Sequence, residues 1–197
     1  IQGMRNMAGS TGIGAFAQVF KIPNYRYYTI GNFASQLGMW VQRVAVAWLT
    51  WELTKSPFWL GLVSFADFMP NLVLAPLAGA VADRFDRLKA MRLYMAISAI
   101  ISSAIAGLTI TGMISVEILA LLVLANGIAM SFNFPARLAI IHALVGQDTL
   151  TTAINTNAIV FNFARIGGPF VAGLIIKFWG VGPAVTLTVV ADIVFVV

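Results

Sequence analysis

The sequence predicts an all-α integral membrane protein with six transmembrane helices, and three observations carry that prediction. The first is composition. Of the 197 residues, 60% are hydrophobic and 10% charged, and the mean hydropathy is +0.91, whereas a soluble domain has about 45–50% apolar and about 25% charged residues. The second is segmentation: apolar runs of span length alternate with short stretches rich in Gly, Pro, Ser or charge. The third is the dense charge cluster from Asp83 through Arg84, Asp86, Arg87 and Lys89 to Arg92, set between two apolar runs. Basic residues in a short loop favour the cytoplasmic side. This loop, and with it the N-terminus two spans earlier, is therefore expected inside a cell membrane. The net charge of +5 then reports topology and not nucleic-acid binding. With no cysteine and one histidine, His142, a metal site has almost no ligands to use. No nucleophile–base pair or phosphate-binding glycine loop appears, so neither an enzyme nor a cofactor is expected.

Taken in order, Ile1 to Gly14 is Gly-rich, does not open on Met and is expected to be disordered, with no cleavable signal peptide apparent. Phe16, Val19 and Phe20 precede Lys21, Pro23 and Arg26, as either a short helix on the inner membrane surface or a lead-in to the first span. Residues 1–24 thus form a flexible or interfacial segment. The first span covers about Tyr27 to Leu49, with tyrosines at one interface and Trp48 and Trp51 at the other. Asn32, Gln36 and Arg43 fall on one of its faces. A charge that deep faces protein or a watery cavity by default.

Span two, Pro57 to Ala82, carries Asp67 and Asn71, and Pro70 and Pro76 interrupt its hydrogen-bond ladder. Its end places Asp83 one turn after Gly79, where a negative charge opposes the helix dipole unless a cation or another helix's N-terminus answers it. That cost points to a docking role. Span three, about Leu93 to Ile110, has Ser98, Ser102, Ser103 and Thr109 as its polar groups and reads as a peripheral support.

Span four, about Val116 to Pro135, shows the stripe Asn126, Met130, Asn133, Arg137. An inner segment with His142 and Asp148 follows, and Thr149 is the expected cap of the next helix. Span five, about Ala153 to Phe178, places Asn155, Asn162 and Arg165 on one face. Beside them Ala164, Gly168 and Ala172 repeat at the spacing that lets helix backbones approach. Lys177, Trp179 and Gly180 to Pro183 make the expected outer turn. The last apolar run, Ala184 to Val197, is broken by Asp192. Its roughly 14 residues reach about 21 Å of a core near 30 Å, so the sixth span reads as cut short.

Several of these stretches resemble the major facilitator superfamily. Gly79-x-x-x-Asp83-Arg84-x-x-Arg87 is similar to its loop between helices two and three, with Asp86 where the pattern prefers Gly and Leu88 where it prefers a basic residue. The resemblance makes Gly79, Asp83, Arg84 and Arg87 a conformational latch between the two halves of a transporter. Gly168-Pro169-Phe-Val-Ala172-Gly173 resembles the span-five motif of the antiporters, with Ala172 for one Gly and the upstream glycines absent. Asn24-Tyr25-Arg26, Gln42-Arg43, Asn133-Phe-Pro135-Ala-Arg137 and Ala164-Arg165 add a likeness to the exporter branch for siderophores and drugs, which includes the enterobactin exporter.

The resemblance runs from Asn24 to Val197 and implies the amino-terminal half of such a permease over residues 25–197, built as two inverted three-helix repeats. It implies a secondary active transporter, proton-coupled and exporting a small molecule by alternating access. Asn32, Gln36, Arg43, Asn126, Asn133, Asn162 and Arg165 would line the substrate path. Asp67 and Asp192, the carboxylates deep in apolar spans, would be proton carriers or fixed partners of Arg43 and Arg165. Gly168, Pro169 and Gly173 would pack helices. The implied partners are the lipid bilayer, the substrate, and a carboxy-terminal six-helix half or a second copy. A uniporter or importer of a metabolite fits the same fold, and a membrane scaffold fits the composition.

Overall fold

Every element of the computed structural model, which describes residues 19–82 and 87–196, is helical. After a short helical lead at Val19 and Phe20, six α-helices follow: α1 (Pro23–Thr54), α2 (Pro57–Ala82), α3 (Arg87–Ile110), α4 (Val116–Leu144), α5 (Gln147–Trp179) and α6 (Val181–Val196). Four of them, α2 to α5, contain stretches long and apolar enough to cross a membrane. The polar stripe of α1 and the 16 residues of α6 keep those two outside that test.

The bundle is inverted relative to a water-soluble protein. Large apolar side chains point outward, with Leu72 82% and Ile166 75% exposed, while Asn32, Gln42, Ser102, Thr188 and Asp192 are buried. Such a distribution suits a hydrocarbon solvent, where polar groups must find partners inside the protein. Helix α1 is the spine: it packs on α5, α6 and α2, while α2 lies against α4 and α3 against both α4 and α6. One apolar core joins Val41, Ala45 and Leu49 of α1 to Ile105, Leu119 and Val185. A second, at the start of α1, joins Val19 and Tyr25 to Ile141, Val145 and Ala153. There the Tyr25 hydroxyl donates to the Ala153 carbonyl at 2.9 Å. Burial raises the Tyr25 pKa above its ordinary value, so the phenol stays protonated and remains a donor.

Several boundaries differ from those expected. Helix α4 does not end at Pro135 but runs on to Leu144, because Ile140 and Ile141 are buried in the following turn and their packing outweighs the missing proline N–H. His142 therefore sits in the last turn of α4, and Asp148 in the first turn of α5, the helix end that favours a negative charge. Thr149 is not the cap: Gly146 holds that position, and the Thr149 hydroxyl donates back to its carbonyl at 3.2 Å. Glu52 lies within α1, where the Trp48 indole N–H donates to it at 2.8 Å. The turn between α5 and α6 is Gly180 alone, at φ +88°, a conformation that glycine adopts without strain.

Where α2 crosses α4 the contact is backbone to backbone. A Cβ on Gly127 would stand 2.8 Å from the Asp67 carbonyl oxygen and 3.1 Å from that of Ala66. Pro70, four residues after Ala66, cannot donate to that carbonyl, and its ring also lies close, 3.3 Å from the same Cβ position. Gly127→Val is expected to force α4 off α2, lowering the thermal midpoint in detergent by several degrees, since overpacking costs about 1–3 kcal/mol. Tryptophan fluorescence on heating checks this, and an unchanged midpoint would refute the contact.

Candidate functional site: two polar cavities along α1

Polar side chains of α1 open into two adjoining cavities. The first, of about 100 Å³, lies between α1, α2 and α4 and is lined by Gln42, Arg43, Ser64, Asp67, Asn126 and Met130 among others. Its central feature is an ion pair: Arg43 Nε donates to Asp67 Oδ2 at 3.0 Å, and the two side chains are only 21% and 14% exposed. The guanidinium carbon lies 4.9 Å from the Trp40 ring centre and 4.6 Å from that of Phe68. Two aromatic faces thus clasp Arg43. Asp67 and Arg43, on separate helices, are thus held together at the cavity wall.

The second cavity, of about 50 Å³, lies between α1, α3, α4 and α6, and includes Gln36, Ser98, Asn133, Arg137 and Asp192. Met39, Gln42, Asn126 and Met130 line both cavities and so form the wall between them. Beside the second cavity, Arg137 donates to Asn32 Oδ1 and, at 2.9 Å, to the Ser35 hydroxyl. Asn32 in turn donates to Asn157 Oδ1 at 2.8 Å. This chain of hydrogen bonds links α4, α1 and α5 across the bundle. The buried Gln42 carbonyl accepts from Ser102 at 3.1 Å.

Of the sequence-selected residues, then, Arg43, Asp67 and Asn126 meet at the first cavity, and Gln36, Asn126, Asn133 and Asp192 at the second. Asn32 lies in the adjoining hydrogen-bond chain. Asn162 and Arg165 do not join them. Both are exposed on α5; Asn162 donates to the carbonyl of Ala158 in its own helix, and Arg165 lies over the Trp40 ring at 5.9 Å. Ala164, Gly168 and Ala172 are buried as their spacing predicts, and Gly168 faces Trp40 of α1. Pro169 is exposed, and nothing lies within 4 Å of a Cβ built on Gly173. Asp83 and Arg84, and the side-chain environment of Gly79 and Arg87, lie outside the described residues.

Some contributors escaped the sequence reading. Tyr94 and Ser98 of α3 line the second cavity, so α3 does more than support. Tyr94, Ser98 and Ser102 recur every fourth residue, a stripe that could have been read as one face. Arg137 was part of the α4 stripe, but a span ended at Pro135 put it beyond the membrane. Asn157 carries no comparable signal.

The geometry is that of a helical membrane bundle holding charge in internal cavities, and sequence comparison decides its kinship. The family model described as transmembrane secretion effector matches residues 13–197. The chain belongs to this family of major facilitator superfamily permeases. Among curated proteins, the staphyloferrin A transporter of Staphylococcus aureus (strain NCTC 8325 / PS 47) is 26% identical over 77% of this chain and 38% of its own length. Macrolide efflux protein A of Streptococcus pyogenes is 26% identical over 86% of this chain and 42% of its own. The uncharacterized MFS-type transporter YfiS of Bacillus subtilis (strain 168) is 29% identical over 72% and 33%. The chain spans about two fifths of the length of the first two.

As a member of this family, the chain is a multi-pass membrane protein. Among the described residues no three His, Asp or Glu side chains cluster as a metal site.

Proposed function

We propose that residues 25–197 form the amino-terminal six-helix half of a proton-coupled exporter of a small molecule, a siderophore or a drug, working by alternating access. The N-terminus faces the cytoplasm at the inner membrane. The observation that carries this reading is the Arg43–Asp67 pair set in a cavity among α1, α2 and α4. A scaffold would have little use for so costly an arrangement.

Helix pairing supports a build from two inverted triplets. Exchanging α1 with α4, α2 with α5 and α3 with α6 turns the α2–α4 contact into α5–α1 and the α1–α6 contact into α4–α3, and both partners of each exchange occur. In this reading Arg43, Asn126 and Gln36 border the substrate path. Asn162 and Arg165 reach it from the exposed face of α5, where a carboxy-terminal half or a second copy packs. Gly79, Asp83, Arg84 and Arg87 latch the halves in one state. The names of the relatives supply the substrate classes to try first.

The test is transport by the full-length protein in lipid vesicles, with labelled staphyloferrin A and a labelled macrolide as probes. An imposed pH gradient should drive accumulation of one probe above equilibrium, and a protonophore should abolish it. Entry to equilibrium alone, with or without the gradient, would make the protein a uniporter.

A further inference from the structure

Among the described residues, the two carboxylates deep in the spans have different surroundings. Asp67 has its charge answered by Arg43 at 3.0 Å. Asp192 of α6, only 4% exposed, has a buried oxygen, Oδ2, with no hydrogen-bond partner among the described residues. Asn126 Oδ1 and Asn133 Oδ1 are likewise buried and unpartnered, and all three side chains line the one cavity of about 50 Å³. Buried polar atoms without partners are rare and call for a cause. These three atoms are all acceptors, so they cannot satisfy one another, and water in the cavity can supply the missing donors. The cavity exceeds the roughly 10–15 Å³ that one water requires, and several polar groups face it.

We propose that Asp192 is the residue that binds the coupling proton, in a hydrated compartment separate from the one that holds Arg43. On uptake, a hydronium ion in the cavity gives its proton to the Asp192 carboxylate, leaving water and a neutral carboxyl whose O–H donates to the shared water. On release the same O–H bond breaks, the proton returns to water, and the carboxylate is left opposite Arg137. The groups facing Asp192 favour this cycle. They are Tyr94 and Ser98 of α3, Arg137 of α4, Gln36 and Gln42 of α1, and Phe161 of α5. Arg137 is the charged group among them, and it is anchored to Asn32 and Ser35 of α1. It can therefore balance the carboxylate without leaving its place. Asp67 cannot take a proton without giving up its pair with Arg43. The shared wall of Met39, Gln42, Asn126 and Met130 lets the proton site respond to the neighbouring cavity without sharing its occupant.

The inference rests on the proton-coupled reading above, yet its first test needs no substrate. Infrared difference spectra of the full-length protein in lipid, between acid and alkaline pH, should contain the carbonyl band of a protonated carboxyl. The band should vanish in Asp192→Asn, shift in Asp192→Glu and persist in Asp67→Asn. A band unchanged in both Asp192 variants, or lost in Asp67→Asn, would overturn the assignment. If Asp192→Asn does not fold, the glutamate variant alone decides, since an unshifted band excludes the site. In vesicles whose wild-type protein accumulates the labelled macrolide, Asp192→Asn should bring the probe only to equilibrium. Wild-type accumulation by that variant would also overturn the proposal. Absence of accumulation by the wild type is a failure of the export reading, and the infrared result distinguishes the two.

Discussion

Alanine at Gly168 is expected to lower the thermal midpoint of the detergent-solubilised protein by about 6–12 °C, while alanine at Gly173, five residues along the same helix, leaves it unchanged or slightly raised. The added Cβ at 168 would stand 2.3 Å from Trp40 Cβ and 3.3 Å from Trp40 Cα. These atoms cannot swing aside as the end of a long side chain could. Helix α5 must then part from α1 along the line where Ala164 and Ala172 are also buried, at a cost near the upper end of the overpacking range, about 3 kcal/mol. A shift of about 2–4 °C per kcal/mol for a chain of this size gives the stated interval. At Gly173 a Cβ meets nothing within 4 Å, and alanine gains about 0.5–1 kcal/mol of helix propensity. Circular dichroism melts of the two variants decide the matter. Equal losses at both sites would mean that Gly173 too packs on a partner.

The second large effect concerns the ion pair. Asp67→Leu or Arg43→Met alone is expected to destabilise the protein by about 3 kcal/mol, the lower end for breaking a buried pair, because each leaves one charge uncompensated beside a cavity. The double variant is expected to recover most of that loss while failing to transport in the vesicle assay. The pair's exposures of 21% and 14% explain the choice of the lower end, since some solvent reaches it. A double-mutant cycle on thermal midpoints reads the coupling directly. Additive losses would show that the two residues act independently.

Much of this architecture was legible in the chain itself. Apolar runs and Pro/Gly punctuation located α2, α3 and the body of α5, and the small-residue repeat at Ala164, Gly168 and Ala172 located the face on which α5 meets α1. The offsets of Asn32, Gln36 and Arg43 identified the inward side of α1. Pro135 misled because a proline's cost to a helix is local and fixed, whereas the burial of Ile140 and Ile141 that offsets it depends on neighbours distant in sequence. That Asp67 lies against Arg43 and not Arg165 was not legible from burial and charge, because it depends on the relative position of separate helices. The bond from Arg137 to Asn32 spans 105 residues and has no local signature. Gly127 gave none either, because the need for a bare backbone lies in the Ala66 and Asp67 carbonyls of another helix.

One consequence concerns Trp40. Its side chain meets Gly168 on one side and the Arg43 guanidinium on another, with Arg165 and Phe161 also at its ring. Its indole N–H is buried without a hydrogen-bond partner among the described residues. Indole emission responds to nearby charge and to hydration, and the other tryptophans, Trp48, Trp51, Trp59 and Trp179, lie toward the ends of their helices. The protein therefore carries an intrinsic optical gauge at the crossing of α1 and α5, one whose colour follows any sliding of those helices or any displacement of Arg43 without an added label.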